Sequence, residues 1–325
     1  MKMVIIEPLG VEEGKLLAMA REALGDRVEI VYYNTKTTDT AELIERGKDA
    51  EIIVVSNLPL NVQVIEGCRN LKLLAVAFTG VDHIAMDVCR KNGVMVCNCA
   101  GYSTFAVAQM AISLLLEAAD SVGHYTHQNQ QGEWSRCPDF CYTTKPRLEL
   151  WGKRLAIVGF GHIGSALADV ARALGMEIFA VSRKAQEDLP ADVRKLTLEE
   201  AVATCEVVSL NCPLTERNRQ MVNAALLAKA RPDLILLNTA RGALVNEADV
   251  ATALHEGRLG AYCTDVLTQE PPSPDCPLLN APRCFITPHI GWDTPEARQR
   301  ILALLVSHIK AYYAGKPESV VNDAF

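Results

Sequence analysis

Three side chains in the C-terminal half carry complementary chemistry. Arg241 stands in Asn238-Thr239-Ala240-Arg241-Gly242, Glu270 precedes Pro271-Pro272, and His289 stands in Pro288-His289-Ile290-Gly291. Each follows a short apolar run that reads as a strand: Leu234–Asn238, Ala261–Val266 and Cys284–Thr287. All three therefore leave the carboxyl edge of one parallel sheet, where ligands of open α/β sheets bind. Histidine exchanges a proton near neutral pH, about 6.5 for the free imidazole, and a neighbouring carboxylate favours its protonated form. His289 would then act as general acid toward a carbonyl oxygen, and as base in the reverse direction. A guanidinium in the place of Arg241 clamps a carboxylate in a fork and polarises the carbonyl beside it. Spacing alone leaves plainer readings open: a helix-end ion pair for Arg241, a loop charge for Glu270, a turn residue for His289.

A second motif supplies a reason for such a site. The strand-like run Leu155–Phe160 leads into Gly159-Phe160-Gly161-His162-Ile163-Gly164, and a helix-period segment runs on to Leu174. Gly159 permits the tight turn, Gly161 lets a pyrophosphate approach the backbone, and Gly164 lets helix and strand pack closely. The helix N-terminus at His162 and Ile163 attracts the phosphates. In this strand-turn-helix context the motif predicts dinucleotide binding. About 20 residues further on, an acid would accept hydrogen bonds from the adenosine ribose. The chain has Val181-Ser182-Arg183-Lys184 instead, a hydroxyl and two cations suited to a 2′-phosphate. NADP is the expected cofactor. The alternative, a solvated turn with Arg183 stacked on adenine, keeps NAD open.

These residues need a scaffold, and the chain supplies two. Apolar, β-branched runs at Met3–Ile6, Val28–Tyr33, Glu51–Ser56, Leu73–Phe78 and Val94–Asn98 alternate with helix-period segments, which predicts a parallel sheet covered on both faces. Phe105–Ala119 reads as a buried helix. His124–Arg147 is polar, aromatic and without clear periodicity, and reads as an arm or loop. A second alternating series follows from Leu155, with strands at Glu177–Val181 and Val207–Asn211 ahead of the three already named. The helix Thr294–Tyr313 is expected to pack back on the first unit. The predicted architecture is α/β, two doubly wound parallel-sheet domains.

Composition narrows the class. At 325 residues the chain is long enough for two domains. Lys and Arg number 32 against 39 Asp and Glu, a net charge of −7, so nothing in the balance favours nucleic acid. No apolar run approaches the roughly 18 residues of a membrane span, and the strand-length run ending at Glu7 is too short for a signal peptide. No membrane contact and a cytoplasmic location are expected. The cysteines number 11, an odd count without zinc-type spacing, so reduced thiols and no metal are expected.

Taken in order, Thr79-Gly80-Val81-Asp82-His83-Ile84, Gly159–Gly164, Pro213-Leu214-Thr215, Asn238–Gly242, Asp265-Val266 with Glu270-Pro271, and Pro288–Gly291 resemble the D-isomer-specific 2-hydroxyacid dehydrogenase family. The resemblance spans Leu73 to Asn322. It implies a Rossmann nucleotide-binding domain at 101–289 and a flavodoxin-like substrate domain at 1–100 with 290–325, the active site lying in the cleft between them. It implies that Arg241, Glu270 and His289 are the catalytic trio, and that the backbone amides of Thr79 and Gly80 receive the substrate carboxylate together with Arg241. On the cofactor side, Asp265 and the Thr239 carbonyl would meet the nicotinamide carboxamide, Thr104 would lie near the same ring, and Cys212-Pro213 would line the nucleotide cleft. Two positions depart from the pattern: Ser182 where NAD-preferring members have Asp, and Asn211 where His or Leu is usual.

Within the family, Tyr102-Ser103-Thr104, Val107-Ala108-Gln109, Asp139-Phe140-Cys141-Tyr142 and His289–Trp292 look most like the glycerate dehydrogenase (hydroxypyruvate reductase) branch. This implies reduction of a small 2-keto acid, hydroxypyruvate or glyoxylate, to the D-2-hydroxy acid. The 124–147 arm is similar to the family's dimer-forming region, which implies a homodimer. Two other readings stay open: a reductase of bulkier acids such as phenylpyruvate, and a dinucleotide-sensing, corepressor-like interaction protein.

Overall fold

A computed structural model describes residues 2–25 and 28–322. Residues 1, 26, 27 and 323–325, which the expected first domain includes, lie outside the described residues. The chain divides into two compact units, residues 1–103 with 293–325, and residues 104–292.

The first unit holds a five-stranded parallel sheet: β1 (Lys2–Ile5), β2 (Glu29–Tyr32), β3 (Ile52–Val55), β4 (Leu73–Val76) and β5 (Met95–Asn98), in the order β2-β1-β3-β4-β5. Every residue of β3, β4 and β5 is buried, as apolar strands covered on both faces must be. Helices α1 (Glu13–Leu24), α2 (Thr40–Gly47), α3 (Val62–Gly67) and α4 (Met86–Lys91) make the crossovers. Asp39 and Asn61 cap α2 and α3, accepting the backbone N–H of Glu42 and Val64. At the switch point between β1 and β3 the crevice is filled by the chain's own carboxylate. Glu7 is fully buried, and its Oε1 accepts the N–H groups of Ser56, Asn57 and Leu58 at 2.8, 2.8 and 2.9 Å.

The second unit opens with α5 (Thr104–Asp120), whose buried face of Ala and Leu packs on the second sheet. Ser121, at φ 54°, breaks it from α6 (Val122–Gln130), and the two helices bend by 60°. Among the described residues no single helix is long and apolar enough to cross a membrane. The expected arm at 124–147 therefore needs correction: it begins as a helix and continues through a short 3-10 turn at Trp134–Arg136. α6 buries none of its residues, so it has no apolar face for periodicity to reveal.

Seven parallel strands follow: β6 (Arg154–Val158), β7 (Glu177–Val181), β8 (Arg194–Lys195), β9 (Val207–Leu210), β10 (Ile235–Asn238), β11 (Ala261–Thr264) and β12 (Cys284–Ile286). Helices α7 (His162–Ala173), α8 (Leu198–Thr204), α9 (Ala224–Leu227) and α10 (Glu247–His255) connect them. The order β12-β11-β10-β9-β6-β7-β8 is that of a doubly wound nucleotide-binding sheet, and its direction of winding reverses between β6 and β9. The last helix, α11 (Pro295–Tyr313), starts from a Thr294 cap with proline in its first turn and packs on α1 and β4 of the first unit.

Candidate active site

A groove of about 890 Å³ lies over the switch point between β6 and β9. The glycine loop forms its floor. Gly159 has φ +94°, and a β-carbon there would stand 2.7–2.8 Å from the backbone of Asn211 and Cys212, so only glycine lets the ends of β6 and β9 meet. On Gly164 a β-carbon would come within 2.5 Å of the Gly159 carbonyl, while at Gly161 it would meet nothing within 4 Å. The middle glycine thus leaves open space ahead of the first turn of α7, where backbone N–H groups can take an anion.

Of the residues singled out for the cofactor, Gly159, Gly161, Ser182, Arg183, Lys184, Cys212 and Pro213 line this groove. His162, Ile163 and Gly164 form the start of α7 immediately behind. Lys195, Thr197 and Glu200 line it too, and sequence reasoning missed them. The Lys195 ammonium donates to the Lys184 carbonyl at 2.5 Å, bringing a third cation to the corner occupied by Arg183 and Lys184. β8, which carries it, has only two residues and shows no pattern of its own. Glu200, an acid of the same lining, is turned onto the N-cap of α8, where its Oε2 accepts from the Thr197 N–H at 2.8 Å and hydroxyl at 2.9 Å. Burial pushes the Cys212 thiol up; hydrogen bonds from its own backbone and from Asn218 partly offset this. Cys97 and Cys99, on and just after β5, are pushed by burial to about 11 and about 12, which keeps them thiols at neutral pH.

The three catalytic candidates occupy loops after β10, β11 and β12. Asn238, fully buried at the end of β10, orders the first loop. Its carboxamide donates to the Arg241 carbonyl at 2.9 Å and accepts from the Ala240 N–H at 3.1 Å. Arg241 donates from Nη1 to the Ala240 carbonyl. Glu270 and His289 are in contact: Nδ1 of the imidazole lies 2.6 Å from Oε2 of the carboxylate. The other oxygen, Oε1, accepts the Leu267 N–H at 2.8 Å. Burial raises the Glu270 carboxyl, but the His289 hydrogen bond, the Leu267 N–H and the charges of His289 and Arg241 outweigh it, and the group stays below its ordinary value. With Nδ1–H held by a carboxylate, Nε2 is the nitrogen left to face a substrate. The two side chains are 35% and 37% exposed, enough for a small molecule to reach them.

Asp265 is 3% exposed and shapes the turn around His289. Its carboxylate accepts from the Thr287 hydroxyl at 2.5 Å, the Ile290 N–H at 3.0 Å and the Gly291 N–H at 2.7 Å. His289 itself has φ 56°, in the left-handed region where a non-glycine residue is held only by its surroundings. Asp265 thus caps the end of β12 and the turn beyond it, and the carboxylate keeps lone pairs for a further donor. Thr239 follows β10 directly, with a buried hydroxyl that has no hydrogen-bond partner among the described residues. Thr104 opens α5. In the first unit Thr79 and Gly80 follow β4, and neither backbone N–H donates a hydrogen bond among the described residues.

Comparison with known proteins identifies the family. Residues 112–291, more than half of the chain, match the family model of the D-isomer specific 2-hydroxyacid dehydrogenase NAD binding domain. A hydroxypyruvate reductase of Blautia hydrogenotrophica is 36% identical over 99% of this chain and 100% of its own length. A glycerate dehydrogenase of Methylorubrum extorquens is 34% identical, covering 90% of this chain and 91% of its own. Among solved structures, an acyclic imino acid reductase in complex with NADPH and D-Arg superposes with a TM-score of 0.88 at 25% identity, covering 99% of this chain and 100% of that one. The chain belongs to the D-isomer-specific 2-hydroxyacid dehydrogenase family. It is an oxidoreductase that uses a nicotinamide dinucleotide, and its resemblance to the glycerate dehydrogenase and hydroxypyruvate reductase branch is carried by relatives of both names.

Proposed function

We propose that the protein reduces a small 2-keto acid, hydroxypyruvate or glyoxylate, to the D-2-hydroxy acid, using NADPH in preference to NADH. The observation that carries this reading is the 2.6 Å contact between His289 and Glu270, on the same sheet edge as Arg241 and the glycine loop. The cofactor would rest on Gly159–Gly164, Cys212 and Pro213, with Thr104, the Thr239 carbonyl and Asp265 toward its nicotinamide, and would supply the hydride. Arg241 and the amides of Thr79 and Gly80 hold the substrate carboxylate, and the guanidinium polarises the adjacent carbonyl. His289 gives the proton on Nε2 to the carbonyl oxygen; the carboxylate of Glu270 orients the ring through Nδ1. Ser182, Arg183 and Lys184 favour a 2′-phosphate, because Arg183, Lys184 and Lys195 border that corner and Glu200, the acid among the described residues of the groove lining, is bound to a helix cap. The relatives named hydroxypyruvate reductase and glycerate dehydrogenase support the substrate. A homodimer through the 124–147 arm is supported by Trp134 and Phe140, 50% and 92% exposed on it.

The test follows the absorbance of the reduced cofactor with hydroxypyruvate, glyoxylate, pyruvate and phenylpyruvate, each with NADPH and NADH. Turnover of hydroxypyruvate or glyoxylate ahead of the others is expected. His289→Ala and Arg241→Ala are expected to melt like the wild type and to lose about 10²–10⁴ in turnover, the range for a lost general acid or a positioning clamp. Full turnover in either removes the role assigned to it. Cofactor binding without turnover of any keto acid would instead make the protein a dinucleotide-sensing module.

A further inference from the structure

We propose that Glu247 is a positioning residue for this reaction, holding the loop that carries Glu270 and thereby setting the Glu270–His289 contact. The inference rests on the reading of His289 and Glu270 given above. Glu247 is the first residue of α10, just beyond the 3-10 turn Gly242–Leu244 that follows Arg241. Its Oε1 accepts the backbone N–H of Thr268 at 2.6 Å. The neighbouring N–H, that of Leu267, is taken by Glu270 itself. Two carboxylates, one from the start of α10 and one from the loop itself, thus satisfy consecutive amides of the segment leading to Glu270.

A separate observation ties the same segments together. A β-carbon built on Gly242 would overlap the backbone of Leu267 and Thr268, so the loop after β10 and the loop after β11 touch backbone to backbone. This close approach leaves no room for a side chain at position 242, and the Glu247–Thr268 hydrogen bond is a polar link across the contact; the other Glu247 oxygen, Oε2, lies 3.9 Å from the Cys276 thiol further along the same loop. Glu270 and His289 are each about one-third exposed, so packing alone does not fix their separation. The loop backbone does. Without Glu247, the Thr268 N–H would turn to water and the Leu267–Glu270 segment could lift off Gly242, taking the carboxylate out of its 2.6 Å reach. Displacements of about 1 Å at a reacting group cost up to about 100-fold in rate.

The experiment compares Glu247→Ala, Glu247→Asp and Glu247→Gln in the full chain, with and without Glu270→Gln, using the fastest keto acid and saturating cofactor. Glu247→Ala is expected to lower kcat about tenfold while the KM for cofactor stays within about twofold. Glu247→Gln, whose amide oxygen still accepts from Thr268, restores most of kcat, and Glu247→Asp, one methylene shorter, falls between. In a Glu270→Gln background, Glu247→Ala costs nothing further, because the two act through one contact. Wild-type kcat in Glu247→Ala, equal damage from Gln and Ala, or a full additional loss in the Glu270→Gln background would each overturn the proposal. If His289→Ala and Glu270→Gln keep full turnover, the trio itself is refuted; if they lose it and Glu247→Ala does not, only the positioning role fails.

Discussion

Replacing Ser182 by Asp tests the choice of cofactor at its physical root. Ser182 follows β7 directly, its hydroxyl accepts the Lys184 N–H at 3.2 Å, and Arg183, Lys184 and Lys195 surround it on the groove wall. A phosphate at this corner carries a charge of about −1.5 to −2. A carboxylate at position 182 roughly 5 Å from it, in an effective dielectric of about 40, would repel it by about 3 kcal/mol. Arg183 and Lys184 are solvent-exposed, so salt and water reduce that to about 1.5–2 kcal/mol. The same carboxylate can accept hydrogen bonds from the ribose hydroxyls of NADH, worth about 1–1.5 kcal/mol. Together these shift the NADPH/NADH ratio of kcat/KM by about 3 kcal/mol, or about 100-fold, toward NADH. Initial rates with each cofactor at fixed keto acid give both ratios directly. A wild type that prefers NADH, or a Ser182→Asp variant that weakens both cofactors equally, would refute the reasoning.

Other parts of the fold give equally direct expectations. Glu206, ahead of β9, accepts from the Arg154 N–H at 2.8 Å and pairs with the guanidinium groups of Arg154 and Arg231. Burial would raise its carboxyl, but these hydrogen bonds outweigh it and hold it down to about 2. Because the folded value lies below the unfolded one, this group stabilises the fold above pH about 4.5 and the gain is lost as pH falls toward about 2. Glu206→Gln should cost about 2 kcal/mol in urea unfolding at pH 7, with the difference closing over that acid range; a constant difference would rule out an ionised pair. On the arm, Trp134→Asp with Phe140→Asp should convert a dimer to a monomer by light scattering, since both rings are exposed in the single chain. A wild type that is already monomeric would end that reading.

Much of the architecture is legible in the sequence because its signals are local. Strands such as Ile52–Val55 and Ile235–Asn238 are buried on both faces, a pattern that parallel sheets impose on consecutive residues. The glycine loop is legible for the same reason: Gly159, Gly161 and Gly164 answer to steric demands within one turn. Where burial is absent the signal fails. α6 buries no residue and reads as part of an irregular arm, and the two-residue β8, with both residues exposed, leaves no trace.

The site divides along the same line. Arg241, Glu270 and His289 stand out by type, and their strand-end positions follow from the sequence pattern. Only the tertiary structure decided that Glu270 meets Nδ1 rather than Nε2 of His289, that Asp265 bonds the turn on which His289 sits, and that Glu247 reaches Thr268 across 21 residues of chain. It also brought Lys195 to the corner that Arg183 and Lys184 occupy. A sequence determines which side chains are available and which segments are buried, because propensity and hydrophobic period act over a few residues. Which carboxylate faces which donor depends on how separate loops converge at a sheet edge, and that is settled by packing between segments far apart in the chain.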